Sequence, residues 1–245
     1  MNTFTFIVDC ILPYFSFTIL GVGIIYRLWR WFSVPLPLRI GLSPIPTNQG
    51  GIIGRIAVEF FLFRTFFNSE RAFWFIVWPF HVAGLFTILN HLLGLSDGLI
   101  QTYLPGVAIP QLTTALFVIA FAAWLLIALL LYILIRRLYK VEVRRMSFFS
   151  DYVAVLLILG LVSIGAYMAF FTDTDMTAVA RWGTGLMTFH PVSVGSTIFS
   201  IHFLFAQALF IYFPFSKLFH PLGQIASRMM TQKEELLNPE GTIVK

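Results

Sequence analysis

The chain has a single cysteine, Cys10, among 245 residues. One thiol cannot close an internal disulfide and falls short of the thiolate set an iron–sulfur cluster takes. Charge is also scarce. Asp, Glu, Lys and Arg make up 11% of the sequence, against about 25% in an ordinary soluble domain. Neither a G-x-x-x-x-G-K-[ST] phosphate loop nor an H-E-x-x-H zinc motif occurs, so those routes to chemistry on a soluble substrate are missing. No repeat of a fixed period is visible. Within the long apolar runs the acidic residues are nearly absent, Asp9 being the exception. A proton-coupled transporter would be expected to carry carboxylates there.

What remains is hydrophobic. The chain is 58% apolar with a mean hydropathy of +0.86, and its apolar residues are gathered in blocks. A span needs about 20 such residues to cross a hydrocarbon core of roughly 30 Å. Phe4–Tyr26, Ala72–Leu95, Gln111–Ile135, Tyr152–Phe171 and Val194–Phe215 qualify. The fold predicted is an all-α integral membrane protein, a bundle of five transmembrane helices. Met1-Asn2-Thr3 brings no positive charge ahead of the first block, and that block is long. It therefore reads as a retained helix rather than a cleaved signal peptide.

The basic residues orient the bundle. Arg27, Arg30, Arg39, Arg55, Arg64 and Arg71 lie between the first two spans, and Arg136, Arg137, Lys140, Arg144 and Arg145 between the third and fourth. Lys217, Arg228, Lys233 and Lys245 follow the fifth, and Arg181 alone belongs to the opposite side. Loops rich in Lys and Arg stay in the cytoplasm. The N-terminus is therefore expected outside and the C-terminus in the cytoplasm, in the inner (cytoplasmic) membrane. The net charge of +5 is used in this way, and nucleic acid is not an expected partner.

Between the spans, Val34–Gly51 is rich in proline and glycine and reads as a loop. Ile52–Phe67 carries Arg55, Glu59 and Arg64 along one helical face, which suits an interfacial helix or a cytoplasmic extension of the second span. Residues 1–225 are expected to form the membrane domain and 226–245 a polar cytoplasmic tail.

Four histidines lie in or beside two of the apolar segments: His81 and His91 in the second, His202 and His220 in or just after the fifth. Ionisable groups at membrane depth are costly and tend to have a job and a partner. Imidazole is an axial ligand for haem iron, so two histidines on each of two helices can clamp two haems, one above the other. Antiparallel helices pair them by depth as an outer couple, His91 with His202, and an inner couple, His81 with His220. The spacing from His202 to His220 equals five helical turns, which in one continuous helix sets both on one face. The spacing from His81 to His91 gives a smaller depth difference, which tilt or kinks at Pro79 and Pro214 would have to absorb. Small residues stand near them, Gly84 and Gly94 three positions after the first pair, with Ala206 and Ser216 one turn from the second. Glycine also serves plain helix contact. No C-x-x-C-H motif is present, so the haems would be b-type. His190 precedes Pro191 in the outer loop. It reads as a solvated loop residue or as a candidate quinone site, able to carry a quinol proton near neutral pH.

At these residues the sequence resembles the respiratory nitrate reductase gamma subunit family of haem b membrane proteins. The likeness rests on F-His81-x9-His91, on the spacing of His202 and His220, on Phe213-Pro214-Phe215-Ser216-Lys217-Leu218-Phe219-His220, and on Thr188-Phe189-His190. Arg27-Leu28-Trp29-Arg30-Trp31, Pro35-Leu36-Pro37-Leu38-Arg39-Ile40 and Gly54–Arg64 are similar to the membrane subunit of the sulfite-reduction-associated, heterodisulfide reductase-like complex. The resemblance covers most of Leu20–Pro221. It implies five helices, two bis-histidine haems b in the couples just drawn, and exchange with menaquinone or ubiquinone. It also implies a cytoplasmic iron–sulfur partner, with further membrane and periplasmic redox subunits. The expected function is an electron-transfer subunit of a quinol-interacting oxidoreductase in respiration or sulfur metabolism, rather than a stand-alone enzyme. A haem-free membrane anchor or scaffold and a proton-coupled transporter are the competing readings.

Overall fold

A computed structural model describes the backbone of residues 2–33, 49–103 and 115–233, and side chains within 2–33, 53–92 and 121–227. The regular elements among the described residues are all helices, without a strand. Five helices are long and apolar enough to cross a membrane: Thr3–Ser33, Arg71–Leu92, Phe121–Tyr139, Phe149–Phe171 and Thr197–Phe215. They correspond one to one with the five apolar blocks. The Val34–Gly51 loop falls outside the described residues except for its last residues, which open a helix.

In chain order the elements are α1 (Thr3–Ser33), α2 (Gln49–Leu62), α3 (Arg64–Ser69), α4 (Arg71–Tyr103), α5 (Ala115–Tyr139), α6 (Val141–Arg145), α7 (Phe149–Phe171), α8 (Met176–Met187), α9 (Thr197–Tyr212) and α10 (His220–Lys233). The backbone gathers into two units. One joins Met1–Gly21 to Pro79–Phe213, the other Val22–Trp78 to Pro214–Lys245.

In the first unit α7 packs against α5 and against α9. A core of Val8, Trp182, Leu186, Phe199 and Phe203 joins α1, α8 and α9. Trp182 meets Phe199 and Phe203 edge-on, at 5.0 and 4.6 Å between ring centres, the geometry that the ring quadrupole favours. Ala83, Ala122 and Leu126 form a second core.

A local backbone feature of α1 follows from its sequence. Pro13 has no N–H, so the carbonyl four residues earlier, on Asp9, loses its helical donor. The N–H of Leu12 reaches back to Ile7 instead of Val8, giving a π turn over Ile7–Ile11. Two carbonyls are thus freed inside an apolar environment, where each needs a partner. Gln207 Nε2 donates to the Val8 carbonyl at 2.9 Å and Trp182 Nε1 to that of Asp9 at 3.0 Å. The π turn is the joint that holds α1 to α8 and α9.

In the second unit α2 does not continue into the second span. Phe63 adopts a left-handed conformation (φ 51°), and α3 starts after it. Trp74 and Trp78 donate their indole N–H groups to the carbonyls of Leu62 and Phe61, at 2.9 and 2.8 Å, so the end of α2 is capped by side chains. The cytoplasmic extension expected as one alternative for Ile52–Phe67 is therefore replaced by two short helices.

The continuous fifth helix expected from His202 to His220 is also corrected. α9 ends at Tyr212, Phe213–Phe215 and Lys217–Phe219 are 3-10 turns, and His220 opens α10. Pro214 supplies no N–H and its ring opposes the preceding turn, so the five-turn register between the two histidines does not hold. Within the second unit, Gly23, Arg27 and Trp31 on one stripe of α1 grip this bend. Arg27 Nε donates to the Pro214 carbonyl at 2.8 Å, and Trp31 packs on Phe219 at 5.2 Å. A Cβ at Gly23 would lie 2.6 Å from Pro214 Cγ, so only glycine allows the approach. α10 runs to Lys233, taking in the start of the expected tail. Residues 234–245 lie outside the described residues.

Candidate functional site: facing imidazoles

His91 on α4 and His202 on α9 face one another with ring centres 6.2 Å apart and planes 24° from parallel. Each ring is fixed by its Nδ1. His91 Nδ1 lies 2.7 Å from the Thr87 carbonyl one turn earlier, and His202 Nδ1 lies 3.1 Å from the Leu161 carbonyl on α7. A carbonyl only accepts, so Nδ1 carries the proton in both rings, and the neutral imidazole keeps its lone pair on Nε2. This is the usual arrangement behind a metal-bound histidine, whose second nitrogen donates to a carbonyl or carboxylate.

Among the described residues no three His, Cys, Asp or Glu side chains cluster as a metal site. His91 and His202 are the residues that would hold a haem here, through the Nε2 atoms that their Nδ1 contacts leave available, and the group would supply one-electron chemistry.

Glycines make room for this arrangement. A Cβ at Gly165 on α7 would stand 2.9 Å from His202 Cε1, so the ring rests directly against the α7 backbone. Above His81, a Cβ at Gly84 would touch only Leu126, at 4.0 Å. Gly94 lies outside the residues whose side chains are described. Gly165 escaped the sequence reading because its partner is far away in the chain. It would have needed the α7–α9 contact to be known.

The other expected residues are placed as follows. His81 is half-buried in the first unit, its ring edge-on to Phe80 at 5.2 Å. His220 belongs to the second unit, where its Nδ1 lies 3.1 Å from the Lys217 carbonyl, so its Nε2 too keeps a lone pair. His190 is exposed in the turn between α8 and α9, with Nδ1 2.8 Å from the Thr188 carbonyl and its own N–H bonded to the Gly185 carbonyl at 2.8 Å. A Cβ at Gly185 would meet the His190 carbonyl at 2.5 Å, so the loop closes tightly on α8.

α8 itself was missed by the apolar-block reading. Asp175 caps it, accepting from the N–H groups of Thr177 and Ala178 at 2.9 and 3.2 Å. The Thr177 hydroxyl, and then the two backbone N–H groups, hold the Asp175 carboxyl below its ordinary range. An Asp one residue before an amphipathic run is a readable start signal, and it carries Trp182 into the core.

Five membrane-length helices define a multi-pass membrane protein, and two of them bring His91 and His202 together. Residues 65–234 match the family of the nitrate reductase gamma subunit, and the chain belongs to that family. Two relatives are both named Hdr-like menaquinol oxidoreductase cytochrome b-like subunit. The protein of Archaeoglobus fulgidus is 28% identical over 87% of this chain and 75% of its own. That of Archaeoglobus profundus is 24% identical over 86% and 74%. Their names agree with the narrower likeness, to a heterodisulfide reductase-like complex, seen in the sequence.

Proposed function

We propose that the chain is a membrane cytochrome b subunit that exchanges electrons with a quinone and passes them through two haems b to a redox partner. The observation that supports this is the His91–His202 pair, whose ring centres lie 6.2 Å apart and whose rings are each braced through Nδ1. His91 and His202 would hold the outer haem, His81 and His220 the inner. When bound, haem supplies one-electron chemistry. The chain's own residues position it: the Thr87 and Leu161 carbonyls fix which nitrogen each ring presents, and Gly165 sets how deeply the His202 ring sits. The names of the relatives favour menaquinol as the quinone.

Topology follows the arginine distribution, with the N-terminus outside, the C-terminus in the cytoplasm and the bundle in the inner membrane. The membrane domain takes in residues 1–225, and 226–245 are the polar cytoplasmic tail. An iron–sulfur subunit would dock there, and further membrane and periplasmic redox subunits complete the complex. His190 is the candidate quinone residue on the outer side.

The test is the visible spectrum of the purified protein with menadiol, a soluble naphthoquinol, as reductant. Haem b absorption bands that sharpen on reduction support the reading. A spectrum without haem bands would return the chain to the role of an anchor.

A further inference from the structure

Asp9 is fully buried in the π turn of α1, and among the described residues its carboxylate is hydrogen-bonded by two serine hydroxyls. Ser193 Oγ donates to Oδ2 at 2.6 Å, and Ser200 Oγ lies 2.8 Å from Oδ1. No cation pairs with it among the described residues. The elements packed around it carry Cys10 and Tyr14 on α1, Arg181 on α8, His190 in the connecting turn and His202 on α9, and none is hydrogen-bonded to the Asp9 carboxylate. An acidic group placed so in a membrane span is costly and marks function more often than structure.

Counting protons shows what the site can do. As a carboxylate, Asp9 accepts the single proton of each serine. As an acid it is served equally well. With its proton on Oδ2 it donates to Ser193 Oγ, which also accepts the N–H of Gly195 at 3.1 Å. With the proton on Oδ1 it donates to Ser200 Oγ, whose own proton turns to the Ser196 carbonyl 3.1 Å away. The carboxylate, and the acid with its proton on Oδ1, leave each of these polar atoms paired without moving a heavy atom; the acid with its proton on Oδ2 turns the Ser193 hydroxyl proton to the exposed side of the turn. A site that merely pinned helices together would need only one of these protonation states. Ser200 is fully buried, whereas Ser193 is partly exposed, so Ser193 is the way in from the surface. The turn that carries it also carries His190.

We propose that Asp9 is the proton acceptor for quinol oxidation on the outer side, with Ser193 as its gate. This rests on the quinone-exchange reading above. In the step, a quinol O–H bond breaks and its proton passes to Ser193 Oγ as Ser193 gives its own proton to Asp9 Oδ2. Haem, when bound, would take the electron that leaves with this proton. Asp9 then releases the proton through Ser193 to the outer side, and the same relay takes the second quinol proton as the second electron leaves.

Time-resolved infrared and visible spectroscopy on the detergent-purified, haem-loaded protein mixed with menadiol tests this. The carbonyl stretch of a protonated carboxyl stands apart from the amide and carboxylate bands. In the wild type it should rise with haem reduction and shift when aspartate is labelled with carbon-13. Asp9→Asn, which keeps a neutral hydrogen-bonding side chain, should keep the haem bands and lose this signal. It should also slow haem reduction by roughly a hundredfold, the lower end of what a positioned proton acceptor contributes. If Asp9→Asn does not fold, Ser193→Ala should slow the same step while the labelled band in the wild type still reports aspartate. A band without an aspartate isotope shift, or unchanged reduction in either variant, overturns the proposal. A wild type with haem that menadiol does not reduce overturns the quinone reading itself, and Asp9 with it.

Discussion

Gly165 leaves the space that the His202 imidazole fills: a Cβ there would stand 2.9 Å from Cε1 of the ring. The Nδ1 next to that carbon is held by the Leu161 carbonyl, one turn earlier on the same helix. α7 therefore supplies both the support and the clearance for one proposed axial ligand. Gly165→Ala should displace the ring by a few tenths of an ångström and weaken outer haem binding by about 10–100-fold, the usual effect of disturbing a ligand's supporting shell. Haem titration of the apoprotein, followed at the b-type bands, measures it. A Gly165→Ala protein with unaltered haem affinity would show that this contact does not matter.

Paired losses test the assignment of ligands. His91→Ala and His202→Ala should remove the same spectral component, and His81→Ala and His220→Ala the other. Low-temperature spectra of the four variants decide. Identical spectra for the His91 and His220 variants would break the pairing.

Trp182 closes the joint that Pro13 opens, through its 3.0 Å bond to the Asp9 carbonyl. Trp182→Phe keeps the aromatic packing on Phe199 and Phe203 but leaves that carbonyl unpaired. Stability should fall by about 0.5–2 kcal/mol, the range for a single hydrogen bond between membrane helices and for a buried polar group left alone. Thermal unfolding in detergent reports it. An unchanged midpoint would mean that the carbonyl finds another donor.

Much of this architecture was legible in the sequence, and the reason is physical. A hydrocarbon core demands long apolar helices, so Phe149–Phe171 emerged within a few residues of the block read at Tyr152–Phe171. His91 and His202 were paired from topology alone, because antiparallel helices of similar length bring their outer ends to one depth. A kink at Pro214 was expected, but the full break after Tyr212 was not legible, since proline is tolerated inside some membrane helices and ends others. Pro79 stays within α4 while Pro214 sits in a 3-10 turn. The Asp9 site was hidden for another reason. Its serines come from 184 and 191 positions away, and no periodicity of α1 encodes them.

Topology can be checked without any spectrum. A reporter fused after Lys245 should be active only in the cytoplasm, because nearly all the basic residues fall in the segments proposed to face that side. Periplasmic activity of the fusion would invert the proposed haem depths.

The most direct measurement of the central claim is the haem content of the purified chain. A pyridine haemochrome assay, set against protein concentration by amino-acid analysis, should return two haems b per chain, released by acid acetone because no thioether holds them. Zero or one haem per chain would contradict the account.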